Sequence, residues 1–191
     1  MKTYINRLKL DKELIHIHPG EIYTTKSTNE VISTLLGSCV AVCLRDEKAG
    51  ISGMNHFLLP ENRNNGFETN AAGRYGISAM EKLINKMLNL GAKKDRLRAK
   101  IFGGGNVVSF FKDNIGKKNI DFVRWFLSNE KIPVIGDDVG KKIARKIYFF
   151  TRDGAVLVQD ISSKTHEVEK EEKNYFQRAR KHLQDSDITI F

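Results

Sequence analysis

The sequence has 191 residues, of which 40% are hydrophobic and 29% are charged, values typical of a globular protein. A chain of this length can bury a core without disulfide bonds, and one domain is expected. No apolar stretch approaches the roughly 20 residues that span a bilayer, and residues 1–12 lack the apolar core of a secretory signal. We therefore expect a cytoplasmic protein without membrane insertion.

The formal net charge is +9, and the excess of basic residues lies mainly in residues 93–152. Basic side chains there are interleaved with apolar ones, and no aromatic–basic surface for stacking on bases stands out. The pattern is typical of a solvated basic face, so nucleic acid is not expected as a partner. Such a face could also steer an acidic protein surface towards the molecule.

The chain contains two cysteines, Cys39 and Cys43. On a strand, positions four apart share a face but lie too far apart for a disulfide bond. Disulfide frameworks are also rare outside secreted proteins. Both cysteines are therefore expected to be free thiols.

Residues 14–26 are predicted to form two short strands around a turn at Pro19 and Gly20. His16 and His18 would share one face of a strand, a spacing that metal ligands also use. Because no third ligand with suitable spacing follows nearby, we interpret the pair as structural or solvated and expect no metal site.

High β-branched content predicts a strand over residues 30–36, which Gly37 and Ser38 end. Residues 40–45 and 51–59 are apolar runs separated by a polar turn, which predicts a hairpin. In an alternative interpretation, Ser38 caps the start of a short helix.

Later segments alternate between helices and strands. Helical spacing of apolar residues predicts helices over about 73–90, ended by Gly91, and over 117–130. Strands are predicted at 97–102, at 132–135 and, joined by a hairpin turn, at 144–151 and 155–161. A polar loop at 61–72 precedes the first helix.

Three glycines, Gly103, Gly104 and Gly105, directly follow the strand at 97–102. Their spacing fits neither the P-loop nor the dinucleotide-binding pattern, so nucleotide binding is not expected. We expect the glycines to allow close backbone approach to another element, which could be the functional site.

From residue 162 the sequence becomes mostly charged. A thin apolar stripe predicts an exposed helix that docks weakly or binds a partner. The stripe consists of Val168, Tyr175, Ala179 and Leu183. We therefore divide the chain into a domain of residues 1–161 and a charged helical extension of residues 162–191, which is not a separate domain. The apolar residues 188–191 could add a strand or fill a groove.

Cys39 follows the small-residue turn, and His56 lies in the second strand of the predicted hairpin. A thiol and an imidazole on adjoining segments can form a thiolate nucleophile with its own base. Backbone amides next to Gly37 and Ser38 would be free to form an oxyanion hole. Cysteine and histidine on apolar strands are also common core residues, and Cys43 is interpreted in that way.

A third group must fix the tautomer and the orientation of the histidine ring. Ser33 and Thr34 are the hydroxyls available before the turn. Only one of them can face the histidine, because neighbouring residues on a strand point to opposite faces.

Several segments in consistent order across residues 16–160 resemble the chemoreceptor glutamine deamidase family, CheD. These segments are Leu-Leu-Gly-Ser-Cys-Val-Ala-Val-Cys-Leu at 35–44, Gly-Met-Asn-His-Phe-Leu-Leu-Pro at 53–60, Gly-Arg-Tyr-Gly at 73–76, Ala-Lys-Ile-Phe-Gly-Gly-Gly at 99–105 and Asn-Ile-Gly-Lys-Lys-Asn at 114–119. The resemblance implies an α+β fold of layered β-sheets flanked by helices, similar also to the deamidases of the cytotoxic necrotizing factor type. It implies no metal and no organic cofactor.

In that family a Cys–His–Thr triad hydrolyses the side-chain amide of receptor glutamines. The resemblance implies Cys39 as the nucleophile and His56 as its base, within a deamidase domain of residues 1–161. The third member falls six residues before the cysteine, which is Ser33 here, with Thr34 as the alternative. A serine can make the same hydrogen bond as threonine, but with a freer rotamer. The implied partners are methyl-accepting chemotaxis receptors and a CheC-type phosphatase.

Two other functions remain compatible with these residues. The protein could be a chemotaxis adaptor with little or no catalysis that binds receptors or a CheC-type phosphatase. It could also be a related thiol amidase or transglutaminase that acts on other protein glutamines. Ammonia release from receptor fragments distinguishes these functions.

Overall fold

The computed structural model describes residues 12–59, 71–107 and 115–186. Within these residues the chain forms nine strands, three α-helices and two short 3-10 helices. The predicted apolar end at 188–191 lies outside the described residues, as does the predicted loop at 61–72 except for its last two positions, which begin a helix.

The strands form two mixed sheets. The four-stranded sheet has the order β1-β3-β8-β9, with strands Glu13–His16, Glu30–Leu36, Arg145–Phe150 and Val156–Asp160. The five-stranded sheet has the order β2-β5-β4-β6-β7, with strands Ile22–Thr25, Ile51–Phe57, Val40–Asp46, Arg98–Gly103 and Val134–Val139. Neighbours are antiparallel except for two parallel pairs, β1 with β3 and β6 with β7.

The predicted hairpin is confirmed as β4 and β5, which pair antiparallel with Ala41 opposite His56. The alternative of a helix that starts at Ser38 is wrong. Residues 40–44 are all buried, because helices cover one face of the sheet and the second sheet covers the other. A segment covered on both faces appears in the sequence as an unbroken apolar run, which favours a strand when it is this short.

The α-helices are α1, Ala71–Asn89, α2, Ile115–Asn129, and α3, Thr165–Ser186, with 3-10 turns at Lys94–Arg96 and Ser162–Lys164. The apolar faces of α1 and α2 pack against one face of the five-stranded sheet, with Met80 and Phe122 fully buried. Gly91 follows α1 with a φ of 103°, a left-handed conformation that ends a helix. Both helices were predicted within two residues of their bounds.

A second core lies between the two sheets. Ile32 and Leu36 of β3 meet Ala41 and Cys43 of β4 there, together with Met54 of β5. The fold is therefore a layered α+β structure of two sheets flanked by helices, which confirms the predicted fold class. In the described part of the chain, no helix is long and apolar enough to cross a membrane.

The third helix corrects the prediction of a weakly docked extension. Tyr175, Phe176 and Ala179 belong to the core between the sheets, and Val168 is 1% exposed. Burying a side chain such as that of Phe176 stabilises the docked helix by about 1.5–3 kcal/mol. The helix is charged because its other face is in solvent, and its buried face is sufficient to hold it on the domain.

Candidate active site

Cys39 lies at the crossing between the two sheets. The preceding strand, β3, belongs to the four-stranded sheet, and β4, which starts at the next residue, belongs to the five-stranded sheet. Gly37 and Ser38 form the short crossing, so the backbone amides of this turn are not used by either sheet. The position of Cys39 is therefore fixed by two strands in different layers.

The glycine run after β6 braces this turn. Gly104 N donates to Cys39 O at 2.7 Å, and Gly105 N donates to Gly37 O at 2.6 Å. A Cβ atom on Gly103 would lie 2.2 Å from Cys39 O, a distance that no side chain can tolerate. The expectation that these glycines allow a close backbone approach is confirmed, and the element they approach carries Cys39.

Asn119 of α2 also holds the turn. Its Nδ2 donates to Ser38 O at 2.8 Å, and its Oδ1 accepts from Leu59 N at 2.8 Å. The side chain is fully buried. Asn119 thus ties the turn before Cys39 to the segment after His56, and sequence reasoning did not single it out. A polar residue on the apolar face of a predicted helix was the available signal.

Cys39 and His56 are brought together, with Glu172 of α3 beside them. The Sγ of Cys39, a ring nitrogen of His56 and a carboxylate oxygen of Glu172 all lie within 4.8 Å of one another. All three side chains are at most 1% exposed. The two residues that the sequence paired therefore meet in a closed site.

Thr34 is hydrogen-bonded to the His56 ring. Its hydroxyl donates to Ile17 O at 2.7 Å and therefore accepts the hydrogen bond from His56 Nδ1, at 2.6 Å. This places the ring proton on Nδ1 and leaves a lone pair on Nε2. Nε2 is buried and has no hydrogen-bond partner among the described residues, so it is free to take a proton from a nearby thiol.

Ser33 does not contact His56, contrary to the expectation that it orients the ring. Its Oγ lies 3.2 Å from Nδ1 of His16, on the other face of β3. The physical reason is the alternation of side chains along the strand, which turns Thr34 and not Ser33 towards the second sheet. Both hydroxyls are fully buried, so burial did not distinguish them.

The surroundings hold the Cys–His pair in its neutral form. Burial, with smaller contributions from His16 and His18, lowers the pKa of His56 to about 3. Burial raises the pKa of the Cys39 thiol well above its ordinary value, and the negative charge of Glu172 raises it further. Burial and the charge of Glu172 therefore both disfavour the thiolate in this closed arrangement.

Glu172 is the functional-site residue that sequence reasoning missed. Its carboxylate accepts from the backbone amides of Gly37 at 2.9 Å, Ser38 at 2.9 Å and Cys39 at 2.8 Å, and from the Ser38 hydroxyl. The sequence did contain a signal that the Glu172 side chain is buried. Glu172 lies four residues after Val168 and three before Tyr175, which places a carboxylate in the middle of the apolar stripe.

Cys43 lies apart from this site, as predicted. It is a free thiol that is 2% exposed, and it faces the core between the sheets. Burial raises its pKa far above the ordinary value for a thiol. Lys100, opposite it on β6, lowers the pKa but does not offset the effect of burial.

The two upstream histidines lie outside the Cys39–His56 pair. His16 contacts Ser33, and Nδ1 of His18 lies 2.6 Å from a carboxylate oxygen of Glu171. Within the described ranges, the one cluster with metal-ligand geometry is that of Cys39, His56 and Glu172. The four donors to Glu172 already use the lone pairs of its carboxylate, so its oxygens are not available to a metal ion.

Comparison with known proteins identifies relatives of this chain. The family model for CheD chemotactic sensory transduction matches residues 58–160. The probable chemoreceptor glutamine deamidase CheD 2 of Shewanella oneidensis is 47% identical over 190 residues, which cover 94% of each chain. Similar proteins from Laribacter hongkongensis and Methylobacillus flagellatus, each called probable chemoreceptor glutamine deamidase CheD, are 44% and 45% identical over 94% of this chain and over 88% and 90% of their own.

Solved structures match at a greater distance. The Bacillus licheniformis hypothetical protein YfiH is 14% identical, with a TM-score of 0.47 over 72% of this chain and 67% of its own. Likeness at this level says nothing about function.

The matches differ in whether they include the residues of the candidate site. The family model begins two residues after His56 and ends before α3. By contrast, a match over 94% of the chain leaves out only about a dozen residues, so the Shewanella relative aligns with the turn at Cys39 and with most of α3. With identities of 44–47% over nearly the whole length, the chain belongs to the CheD family.

Proposed function

We propose that this chain is a chemoreceptor glutamine deamidase, which converts glutamine side chains of methyl-accepting chemotaxis receptors to glutamate and releases ammonia. The observation that carries the proposal is the buried Cys39–His56 pair, with the His56 tautomer set by Thr34, in a chain of the CheD family. The relatives named above carry the same activity in their names.

In the first half of the proposed reaction, Nε2 of His56 takes the proton of the Cys39 thiol. The thiolate adds to the carbon of the glutamine side-chain amide. The oxygen that becomes negative is held by backbone amides of the turn, of which those of Gly37 and Cys39 converge on a single oxygen in this structure. His56 then returns the proton to the nitrogen, ammonia leaves, and a thioester remains.

In the second half, His56 takes a proton from water, and the hydroxide attacks the thioester carbon. The carbon–sulfur bond breaks, glutamate is released, and the proton restores the Cys39 thiol. The net reaction consumes one water for each ammonia released. In both halves Thr34 keeps the lone pair of His56 on Nε2, the atom that exchanges the proton.

The decisive experiment incubates the purified chain with cytoplasmic fragments of the organism's receptors and follows ammonia release and the mass of receptor peptides. Cys39→Ala is expected to lower the rate at least about a hundredfold. Cys43→Ala is the matched control, since it removes a buried thiol of the neighbouring strand outside the site. A Cys39→Ala variant as fast as the wild type would rule out the mechanism.

One observation favours the adaptor as a second candidate. Cys39 and His56 are closed off from solvent in this structure, and a protein in this arrangement could bind receptors or a CheC-type phosphatase without turnover. Receptor fragments that bind the chain but release no ammonia would support it. Activity on unrelated glutamine-containing proteins, or incorporation of amines, would instead indicate a broader thiol amidase or a transglutaminase.

A further inference from the structure

The carboxylate of Glu172 lies beside Cys39 and His56 and accepts from the amides of the turn that carries Cys39. We propose that α3 occupies the substrate groove as a product bound in cis, with Glu172 in the position of the reacting side chain, and that it must leave before a receptor helix can enter. The inference rests on the proposed function, because it takes the pair of Cys39 and His56 as the deamidation site.

The first support is the way in which the carboxylate is held. Oε1 accepts from the amides of Gly37 and Cys39, and Oε2 accepts from the amide and the hydroxyl of Ser38. All four donors belong to the turn that carries the nucleophile. A buried carboxylate needs compensating partners, and here it takes them from the amides that a reacting amide would need.

The second support is the fit of the helix. A Cβ atom on Gly37 would lie 3.0 Å from Val168 and 3.1 Å from Glu172 Oε2, and one on Gly20 would lie 2.8 Å from the ring of Tyr175. Two glycines of the domain thus leave room for α3 to approach. The Tyr175 hydroxyl also forms a hydrogen bond with that of Tyr75 in α1.

The pattern of buried residues in α3 indicates what kind of substrate helix the groove accepts. Among the residues of α3 up to position 181, the buried ones besides Glu172 lie at −4, +3, +4 and +7 relative to it, namely Val168, Tyr175, Phe176 and Ala179. Such spacing is that of an amphipathic helix whose apolar stripe is interrupted by one reacting side chain. We infer that a substrate helix presents its glutamine within an apolar stripe of this spacing, with its charged residues facing solvent.

Docked α3 inhibits the enzyme. It buries Cys39 and His56, and its carboxylate favours the protonated thiol. Because a substrate helix would compete with α3 for one groove, the apparent affinity for receptors falls by the fraction of chains in which the groove is open. Loss of the Glu172 contacts should therefore lower the KM for receptor fragments.

The first test converts the docked product into a docked substrate. In a Glu172→Gln chain, the Cys39 thiolate adds to the side-chain amide carbon at position 172, ammonia leaves with a proton from His56, and water releases the thioester as glutamate. The reaction restores the wild-type residue. It also restores an acceptor for the Ser38 amide, which a side-chain NH2 group cannot provide.

The measurement is tandem mass spectrometry of the peptide of residues 160–184, released by cleavage before Asp160 and Asp185. We expect residue 172 to be largely glutamate when Cys39 is present and to remain glutamine in a Glu172→Gln, Cys39→Ala chain. Gln177 is an internal control, since it lies on the exposed face of the same helix and reports spontaneous deamidation. A residue 172 that stays glutamine would overturn the proposed pose.

The second test does not depend on turnover. Glu172→Ala is expected to raise the rate of Cys39 alkylation by iodoacetamide about tenfold or more, because opening the site and removing the charge both increase the thiolate fraction. Glu171→Ala is the matched control, since it removes the neighbouring carboxylate, which contacts His18 and not the turn. Equal rates for the two variants would contradict the inference.

The outcomes separate the two proposals. If receptor glutamines are deamidated but residue 172 stays glutamine and alkylation is unchanged, the inference fails and the proposed function stands. If residue 172 is converted but receptors are not, the site is a deamidase whose substrate lies elsewhere. If neither is converted while Glu172→Ala still accelerates alkylation, the helix is a cover and the proposed function fails.

Discussion

Thr34 and Ser33 are adjacent in β3, and only one of them reaches His56. The Thr34 hydroxyl is hydrogen-bonded to Ile17 O and to the His56 ring, whereas the Ser33 hydroxyl is hydrogen-bonded to His16. We therefore propose that Thr34 is the positioning residue of the site, in place of Ser33. Its β-branch restricts the rotamer, which helps to hold the hydroxyl between its two partners.

Substitutions at these two positions test the assignment. Thr34→Val keeps the shape but leaves the Nδ1 proton of His56 buried without an acceptor, which costs about 1–3 kcal/mol. Receptor deamidation should fall about 10- to 100-fold in kcat/KM, and Thr34→Ser should recover most of it. Ser33→Ala should stay within about threefold of the wild type, as expected for the loss of one ordinary hydrogen bond. A larger loss of activity in Ser33→Ala than in Thr34→Val would instead assign the positioning of His56 to Ser33.

His56 also makes the stability of the protein depend on pH. Its pKa is lowered to about 3 in the folded chain, whereas an unfolded histidine titrates near 6.5. Below pH 6.5 the unfolded chain binds a proton that the folded chain does not, so the free energy of unfolding falls until the pH reaches about 3.

Urea denaturation at pH 7 and pH 5 measures this effect. Between these values His56 alone should remove about 2 kcal/mol from the free energy of unfolding. His56→Gln removes the titrating group. Between pH 7 and pH 5 its free energy of unfolding should therefore fall by about 2 kcal/mol less than that of the wild type. Identical pH dependence in the two proteins would show that the histidine is not held neutral.

At the scale of elements, the site depends on where three segments meet. The crossing from β3 to β4 carries Cys39, the glycine run at the end of β6 braces it, and Asn119 of α2 donates to Ser38 O and accepts from Leu59 N. The crossing is far along the chain from the other two segments, so the turn is held by contacts of long sequence separation.

Two glycines with nearly the same positive φ test the brace. Gly103 has a φ of 100° and Gly91 a φ of 103°. An added Cβ would meet Cys39 O at Gly103 and nothing within 4 Å at Gly91. Gly91→Ala should cost about 1 kcal/mol from backbone strain alone, whereas Gly103→Ala should cost more than about 3 kcal/mol and also reduce activity. If urea denaturation shows the same loss of stability for both variants, the turn at Cys39 can shift to accommodate the added Cβ and is not held rigidly.

At the scale of the whole molecule, the two sheets divide segments that are close in sequence. The strands β1 and β2 flank one turn, yet β1 pairs with β3 in one sheet and β2 pairs with β5 in the other. The site lies where the sheets face each other, and α3 closes it from the C-terminal part of the chain. The division between a domain of residues 1–161 and an extension of residues 162–191 stays a prediction, although the extension is integral to the closed site.

The sequence by itself determined the elements, because hydrophobic period, β-branched content and turn residues act locally. The strand at 30–36, the hairpin with Cys39 beside it and the first two helices all follow from such patterns. The pairing of Cys39 with His56 was also readable, since a hairpin brings its two strands together. The family resemblance supported the same pair.

Only the tertiary structure decided which face of β3 looks into the site and what covers it. Both faces of that strand are buried, so burial could not correct the preference for Ser33 over Thr34, and only the position of the second sheet showed which hydroxyl reaches His56. The charged composition of α3 concealed a docked helix, because one buried stripe is enough to hold it and the other face stays in solvent. A carboxylate seated on the amides of Gly37, Ser38 and Cys39 from more than 130 residues away is a contact that no local pattern encodes.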